Sequence, residues 1–167
     1  MQRHFFPLKP PMRLVLFEPD IPQNTGTLLR LGACLGVGID IVEPCGFPLS
    51  DRDLKRAALD YGGHADCRRH LSWEAFLTSL PASSRLILLS TKGALPYTAF
   101  PFLPDDRLVL GRETAGAPPA VWDAAHASVT IPMRPGMRSI NVALSAAMVL
   151  GEALRQTEGF AIGARSG

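Results

Sequence analysis

The chain has 167 residues, with 17 Lys and Arg against 15 Asp and Glu and a formal net charge of +2. A hydrophobic fraction of 47% and a mean hydropathy of +0.13 exclude a disordered tail protein and a charged coiled coil. This length suits one domain, which buries roughly 68–70% of its unfolded surface without needing disulfides or a metal to fold.

Residues 1–12 carry basic side chains but neither the apolar run nor the cleavage pattern of a signal peptide, and they read as a loose leader. Leu14, Val15, Leu16 and Phe17 form a short apolar run, the mark of a buried strand. After a loop over 18–23, Asn24 is placed to cap a helix over 25–35. Leu28, Leu29, Leu31 and Leu35 are its apolar face, and Gly36 with Gly38 is its stop. A second strand follows over 39–43. Ser50 and Asp53 then make a capping box for a helix to about residue 61, on which Arg52, Lys55 and Arg56 share one face. One short strand falls within 62–71, and Ser72 caps a helix over 73–80. Strands are expected at 86–90, 108–111 and 129–132, with a short helix opening at Pro118-Pro119. A loop over 133–140 leads into a long helix over 141–156. Its Val142, Leu144, Ala147, Met148, Leu150 and Leu154 make a band too broad for one core face, which predicts a partner subunit. Residues 158–167 read as a tail.

Apolar strands alternating with helices specify a single α/β domain over 13–157, a mostly parallel sheet with helices on both faces. Ligands of such sheets bind beyond the carboxyl ends of the strands. The loops at 18–24, 91–93, 112–116 and 133–141 are therefore where chemistry is expected. The chain has no G-x-x-x-x-G-K-[ST] phosphate loop and no G-x-S-x-G nucleophile turn. Glu43 stands where a dinucleotide fold keeps its ribose-binding acid, but Gly32, Gly36 and Gly38 do not make the glycine fingerprint. Cys34, Cys45 and Cys67 lack ligand spacing and read as packing residues in a reducing compartment. His4, His64, His70 and His126 read as surface or structural residues, so no metal is expected. No apolar stretch approaches the ~18–20 residues of a membrane span. Arg52, Lys55, Arg56, Arg68 and Arg69 concentrate positive charge in a chain that is otherwise near neutral, a candidate RNA-phosphate surface.

Three segments stand in an informative order: Asn24-Thr25-Gly26 through Arg30, then Leu110-Gly111-Arg112-Glu113-Thr114-Ala115-Gly116, then Ile131-Pro132-Met133 through Ser139-Ile140-Asn141-Val142. Together they resemble the three motifs of the SPOUT RNA methyltransferases, and most closely the small tRNA (cytidine(34)-2'-O)-methyltransferases. The segments FEPDIPQNTGTLLRL, IVEPCGF, ALDYG and STKG extend the likeness over about residues 13–157. The resemblance implies a C-terminal deep trefoil knot, S-adenosylmethionine as cofactor, tRNA as substrate, a homodimer and a cytoplasmic location. Methylation of the ribose 2'-oxygen at the wobble position, in leucine isoacceptors, is the implied reaction. Action on another tRNA or rRNA position, or RNA binding without catalysis, is the alternative.

The same resemblance assigns the cofactor to Leu89, Thr91, Gly111, Glu113, Gly116, Ile131, Met133 and Ser139. It puts the chemistry on Arg30, with Asn24, Glu113, Ser139 and Asn141 in support. A ribose hydroxyl is a very weak acid, and no His, Asp–His or metal constellation read from the sequence offers a conventional base. Arginine stays protonated, so Arg30 is expected first to orient the hydroxyl and stabilise charge on its oxygen. Two departures stand out. Relatives read Gly-Pro-Glu-Thr-Arg-Gly where this chain has Gly111-Arg112-Glu113-Thr114-Ala115-Gly116, and Gly151 replaces a frequent aromatic residue.

Overall fold

A computed structural model describes residues 12–63 and 65–160. The leader up to residue 11, with His4, lies outside the described residues, as do His64 and 161–167. In chain order the elements are β1 (Arg13–Phe17), α1 (Pro22–Leu35), β2 (Gly38–Val42), α2 (Asp51–Asp60), β3 (Cys67–His70), α3 (Trp73–Ser79) and β4 (Leu86–Leu89). There follow β5 (Leu95–Pro96), a 3-10 turn (Tyr97–Ala99), β6 (Arg107–Leu110), α4 (Pro119–Ala124), β7 (Ala127–Thr130) and α5 (Val142–Gln156). The strands form one sheet in the order β3-β2-β1-β6-β4-β7-β5, parallel at every pairing.

Alternation along each strand decides which layer a side chain enters. Leu14, Leu16, Ile39, Ile41, Leu108 and Leu110 join the layer that includes Leu28 and Leu29 of α1 and Ala146, Val149 and Leu150 of α5. Val15, Phe17, Val109 and Leu88 face the other way, against Trp73 and Phe76 of α3 and Val121 of α4. The apolar runs are continuous because both faces are covered. Met12 belongs to the first layer and is fully buried.

The amino ends of the central strands are held by buried ions. Arg13 Nε donates to Asp40 at 2.5 Å, its Nη1 to Asp66 at 2.7 Å, and its Nη2 to the Ile39 carbonyl at 3.1 Å. Burial opposes the Arg13 charge, yet the bonds to Asp40 and Asp66 outweigh it and raise its pKa. His70 Nε2 lies 2.7 Å from the other Asp40 oxygen, which bears out a structural role for that histidine.

Several elements differ from the sequence reading. The α1 helix starts at Pro22, with Ile21 as an uncapped N-cap residue, because proline suits the first helical turn. Asn24 is therefore inside the helix and is not its cap. Gly36 does end it, in the left-handed region at φ 70°. The capping box of Ser50 and Asp53 is present, and Asn141 caps α5. β7 begins at Ala127, two residues before the expected start, and β5 with the 3-10 turn has no counterpart in that reading. Cys34 is exposed, not packed, whereas Cys45 and Cys67 lie against the core. Burial pushes the Cys45 thiol up to about 11 and the Cys67 thiol up to about 12.

Asp40→Ala leaves the buried Arg13 with Asp66 and the Ile39 carbonyl. It is expected to destabilise the protein by about 3 kcal/mol, the cost of breaking a buried ion pair, in urea unfolding. A loss below about 1 kcal/mol would mean the pair is not held away from water.

Candidate functional site

A cavity of about 420 Å³ opens where β4, β6 and β7 end. Leu89, Leu110 and Val129, the last residues or near the last of those strands, contribute its apolar floor. Three loops rise around it: one after β4, one after β6, and the long β7–α5 connection. The first turns of α5 and the start of α1 complete the wall through Val142, Ser145, Ile21 and Asn24.

All eight positions assigned to the cofactor come together here. Leu89 and Thr91 stand in the first loop region, Gly111, Glu113 and Gly116 in the second, and Ile131, Met133 and Ser139 in the third. Close packing leaves no room at Gly111, where a Cβ would sit 2.6 Å from the Ala117 nitrogen. The loop beyond it folds on itself through paired backbone bonds between Arg112 and Gly116, and Gly116 takes a left-handed φ of 68°.

Asn141 joins the two ends of the domain. Its Oδ1 accepts from the Ala143 and Leu144 amides at 2.9 and 3.3 Å, while its Nδ2 donates to Asn24 Oδ1 at 3.0 Å. The amide of Asn24 is thus spent on a residue 117 positions away instead of on its own helix.

A second clamp links the β1–α1 and β6–α4 loops. The Asp20 amide donates to Glu113 Oε2 at 2.9 Å, the Glu113 amide donates to Asp20 Oδ1 at 3.1 Å, and the Thr114 hydroxyl donates to Asp20. The hydrogen bond with the Glu113 side chain, helped by Thr114, holds Asp20 below the usual carboxylate range. Burial, together with Asp20, pushes Glu113 above it. Glu113 is therefore the member of the pair that keeps a proton more readily. Arg112 lies near the same acids, with Nη1 3.8 Å from Glu18 and Nε 3.7 Å from Asp20. Asp20 and Arg112 were not among the site residues expected from sequence. Their place in loops that follow parallel strands was the available signal; a contact across 93 residues was not.

The remaining expected residues lie elsewhere. Arg30 is exposed on α1, outside the cavity wall, and has no ion-pair partner among the described residues. Arg52, Lys55 and Arg56 are exposed on α2, and Arg68 is exposed on the edge strand β3, 3.9 Å from Asp66. Arg69 departs from this group. It binds Glu43 through Nε and Nη2 and Asp51 through Nη1, so its charge is already matched. The same bonds engage Glu43 Oε1 in an ion pair within the sheet edge. Among the described residues no group of three or more His, Cys, Asp or Glu could hold a metal, and no helix is long and apolar enough to cross a membrane.

The model of the SpoU rRNA Methylase family matches residues 11–151. The chain is 58% identical over 144 residues to a tRNA (cytidine(34)-2'-O)-methyltransferase of Beijerinckia indica subsp. indica, covering 86% of this chain and 90% of that one. It is 52% identical over 151 residues to the protein of the same description from Ancylobacter novellus, covering 90% and 96%. A solved structure concerned with the 2-OH methylation of C/U34 on tRNA superposes with a TM-score of 0.79 at 39% identity, over 87% of this chain and 95% of that one. The SpoU methyltransferase AviRb from Streptomyces viridochromogenes, in complex with the cofactor AdoMet, superposes with a TM-score of 0.74 at 25% identity, over 90% and 62%.

Gly111→Ala would force the added methyl against backbone that cannot move aside cheaply. An unfolding titration is expected to show a loss of about 1–3 kcal/mol, the usual cost of overpacking. Unchanged stability would show that the loop has slack.

Proposed function

Because the chain belongs to the SpoU rRNA Methylase family, we propose that it transfers a methyl group from S-adenosylmethionine to the ribose 2'-oxygen of nucleotide 34 in tRNA. The observation that carries this reading is the cavity in which the three motifs meet. Its volume falls in the ~300–1,000 Å³ range of small-molecule sites. Leu89, Leu110, Ile131 and Val142 offer apolar surface to a neutral adenine, and the surrounding loops offer backbone amides and carbonyls. The residues present thus fit the cofactor, which when bound supplies an electrophilic methyl on a sulfonium.

The chain's own groups divide the remaining work. Leu89, Thr91, Gly111, Gly116, Ile131 and Met133 would hold the cofactor, and Ser139 would serve the cofactor edge and the reacting ribose. Asn24 and Asn141 fix the wall on which the ribose is presented. Glu113, tied to Asp20, keeps the β6–α4 loop in register with α1. Arg30 lies outside the cavity wall and acts on the RNA at its mouth, orienting the 2'-hydroxyl and stabilising negative charge on the oxygen. Arg52, Lys55, Arg56 and Arg68 meet phosphates farther along the substrate; Arg69 serves to hold its strand.

The reading extends to assembly. Leu144 and Met148 are 61% and 42% exposed and one helical turn apart on α5, with half-buried Gly151 three residues further on. That stripe suits a second copy of the chain across a twofold axis. The catalytic domain spans 13–157, with the β7–α5 segment threaded as a trefoil knot. Leucine isoacceptors in the cytoplasm are its substrates.

Incubation with tRNA and a methyl-labelled cofactor, followed by mapping of 2'-O-methylation, is expected to place the label on the ribose of nucleotide 34. Label on a base, or none, contradicts the reading. Arg30→Ala should bind S-adenosylhomocysteine normally yet lose at least ~10²-fold in methyl transfer, the scale of a positioned electrostatic or acid–base group. Turnover near wild type would remove Arg30 from the chemistry. Sedimentation at micromolar concentration should give a dimer, and Leu144→Asp a monomer. A wild-type monomer would contradict the twofold assembly.

A further inference from the structure

The described arginines differ in how they meet acids. Arg13, Arg69, Arg85, Arg107 and Arg155 each hold a carboxylate at 2.8 Å or less. Arg112, Arg134 and Arg138 do not. Arg134 and Arg138 are exposed in the β7–α5 connection, where no acid occurs between Pro132 and Asn141, and neither has an ion-pair partner among the described residues. Met133 and Ser139, their immediate neighbours, line the cavity. Lys92 repeats the arrangement in the loop after β4: it is exposed beside the cavity residue Thr91, and its ammonium has no partner among the described residues.

Arg112 is the most telling of the four. Its side chain lines the cavity, and its Nε is shut off from water without a hydrogen-bond partner. The nearest acids, Glu18 and Asp20, stand at 3.8 and 3.7 Å, beyond hydrogen-bond reach. A buried donor left unmade is costly, and the guanidinium is held here only by two long ion pairs. Its planar fork matches the oxygens of a phosphate.

The loop after β4 and the β7–α5 connection each carry a cation without an ion-pair partner among the described residues, and the loop after β6 carries Arg112, held only by long ion pairs to Glu18 and Asp20. The cofactor's sulfonium is itself positive, and its single carboxylate does not call for four cations. A polyanion laid across the opening does. We infer that Lys92, Arg112, Arg134 and Arg138 form a phosphate-binding rim that grips the RNA backbone on either side of the nucleotide entering the cavity. This rests on the reading of the chain as an RNA 2'-O-methyltransferase. It also gives Arg112 of the Gly111–Gly116 loop its work at the cavity wall. Phosphate contacts of this kind set register and affinity and leave the reading of bases to other groups.

The test measures tRNA binding against salt concentration for the wild type, Arg112→Gln, the Arg134→Gln/Arg138→Gln pair, and Arg112→Lys. Each lost phosphate contact should reduce the slope of log K against log salt by about 0.7 to 0.9. The apparent KM for tRNA should rise with kcat retained, the signature of uniform binding. Arg112→Lys should restore the slope, because it restores the charge. S-adenosylhomocysteine binding should be unchanged in every variant. Variants that match the wild type in slope and KM overturn the rim. A fall in S-adenosylhomocysteine binding without a change in slope also overturns it, since the cations would then serve the cofactor's carboxylate. A wild type that methylates no RNA fails the underlying reading instead, and the rim falls with it.

Discussion

The amide of Asn141 is where the sequence-distant parts of this molecule are joined. One oxygen closes the first turn of α5, and the amide nitrogen reaches Asn24 inside α1. Without the first bond, α5 loses its N-cap at a point where the chain has just left a ten-residue loop without regular structure. Without the second, no polar bond among the described residues fixes α5 to α1 at the cavity wall, although apolar packing between the two helices remains. The floor of the cavity comes from strands and is rigid. Its closure depends on how the β7–α5 loop is delivered, and that is what the asparagine pair governs.

The two ends of the sheet are built for opposite purposes. At the amino ends, Arg13 with Asp40 and Asp66, and Arg85 with Asp106, pair charges at 2.5 to 2.8 Å. Buried pairs of this kind add little net stability over an apolar core, but each fixes one arrangement of its strands. At the carboxyl ends the contacts around the cavity are more varied. Backbone turns, one carboxylate clamp and an asparagine pair surround open space. Specificity of register at one end permits a cavity at the other.

Much of this was legible in the chain itself. Continuous apolar runs gave the parallel sheet, Gly36 gave the end of α1, and the Ser50–Asp53 pair gave the start of α2. The order of three motifs located the cavity loops before any coordinate did. What escaped had physical reasons. Asn24 is of a residue type that caps helices, but Pro22 starts the helix earlier and the side chain is claimed by a tertiary bond. β7 was misplaced because its apolar character continues through Ile131 after the pairing stops, while Ala127 and Ser128 carry weak strand signals. A two-residue strand such as β5 leaves no pattern to read. Arg69 looked like a free cation because its acids, Glu43 and Asp51, are 26 and 18 residues away. The Asp20–Glu113 clamp was hidden for the same reason, at still greater separation.

The central claim, that one side-chain bond couples α1 to α5 and so shapes the cavity, is tested most directly by a double-mutant cycle. Urea unfolding of the wild type, Asn24→Ala, Asn141→Ala and the double variant separates the cap, which only Asn141 makes, from the bond the two share. The account predicts that the two losses are not additive, with a coupling of about 0.5–3 kcal/mol. Losses that add to within about 0.3 kcal/mol would show the two asparagines acting independently.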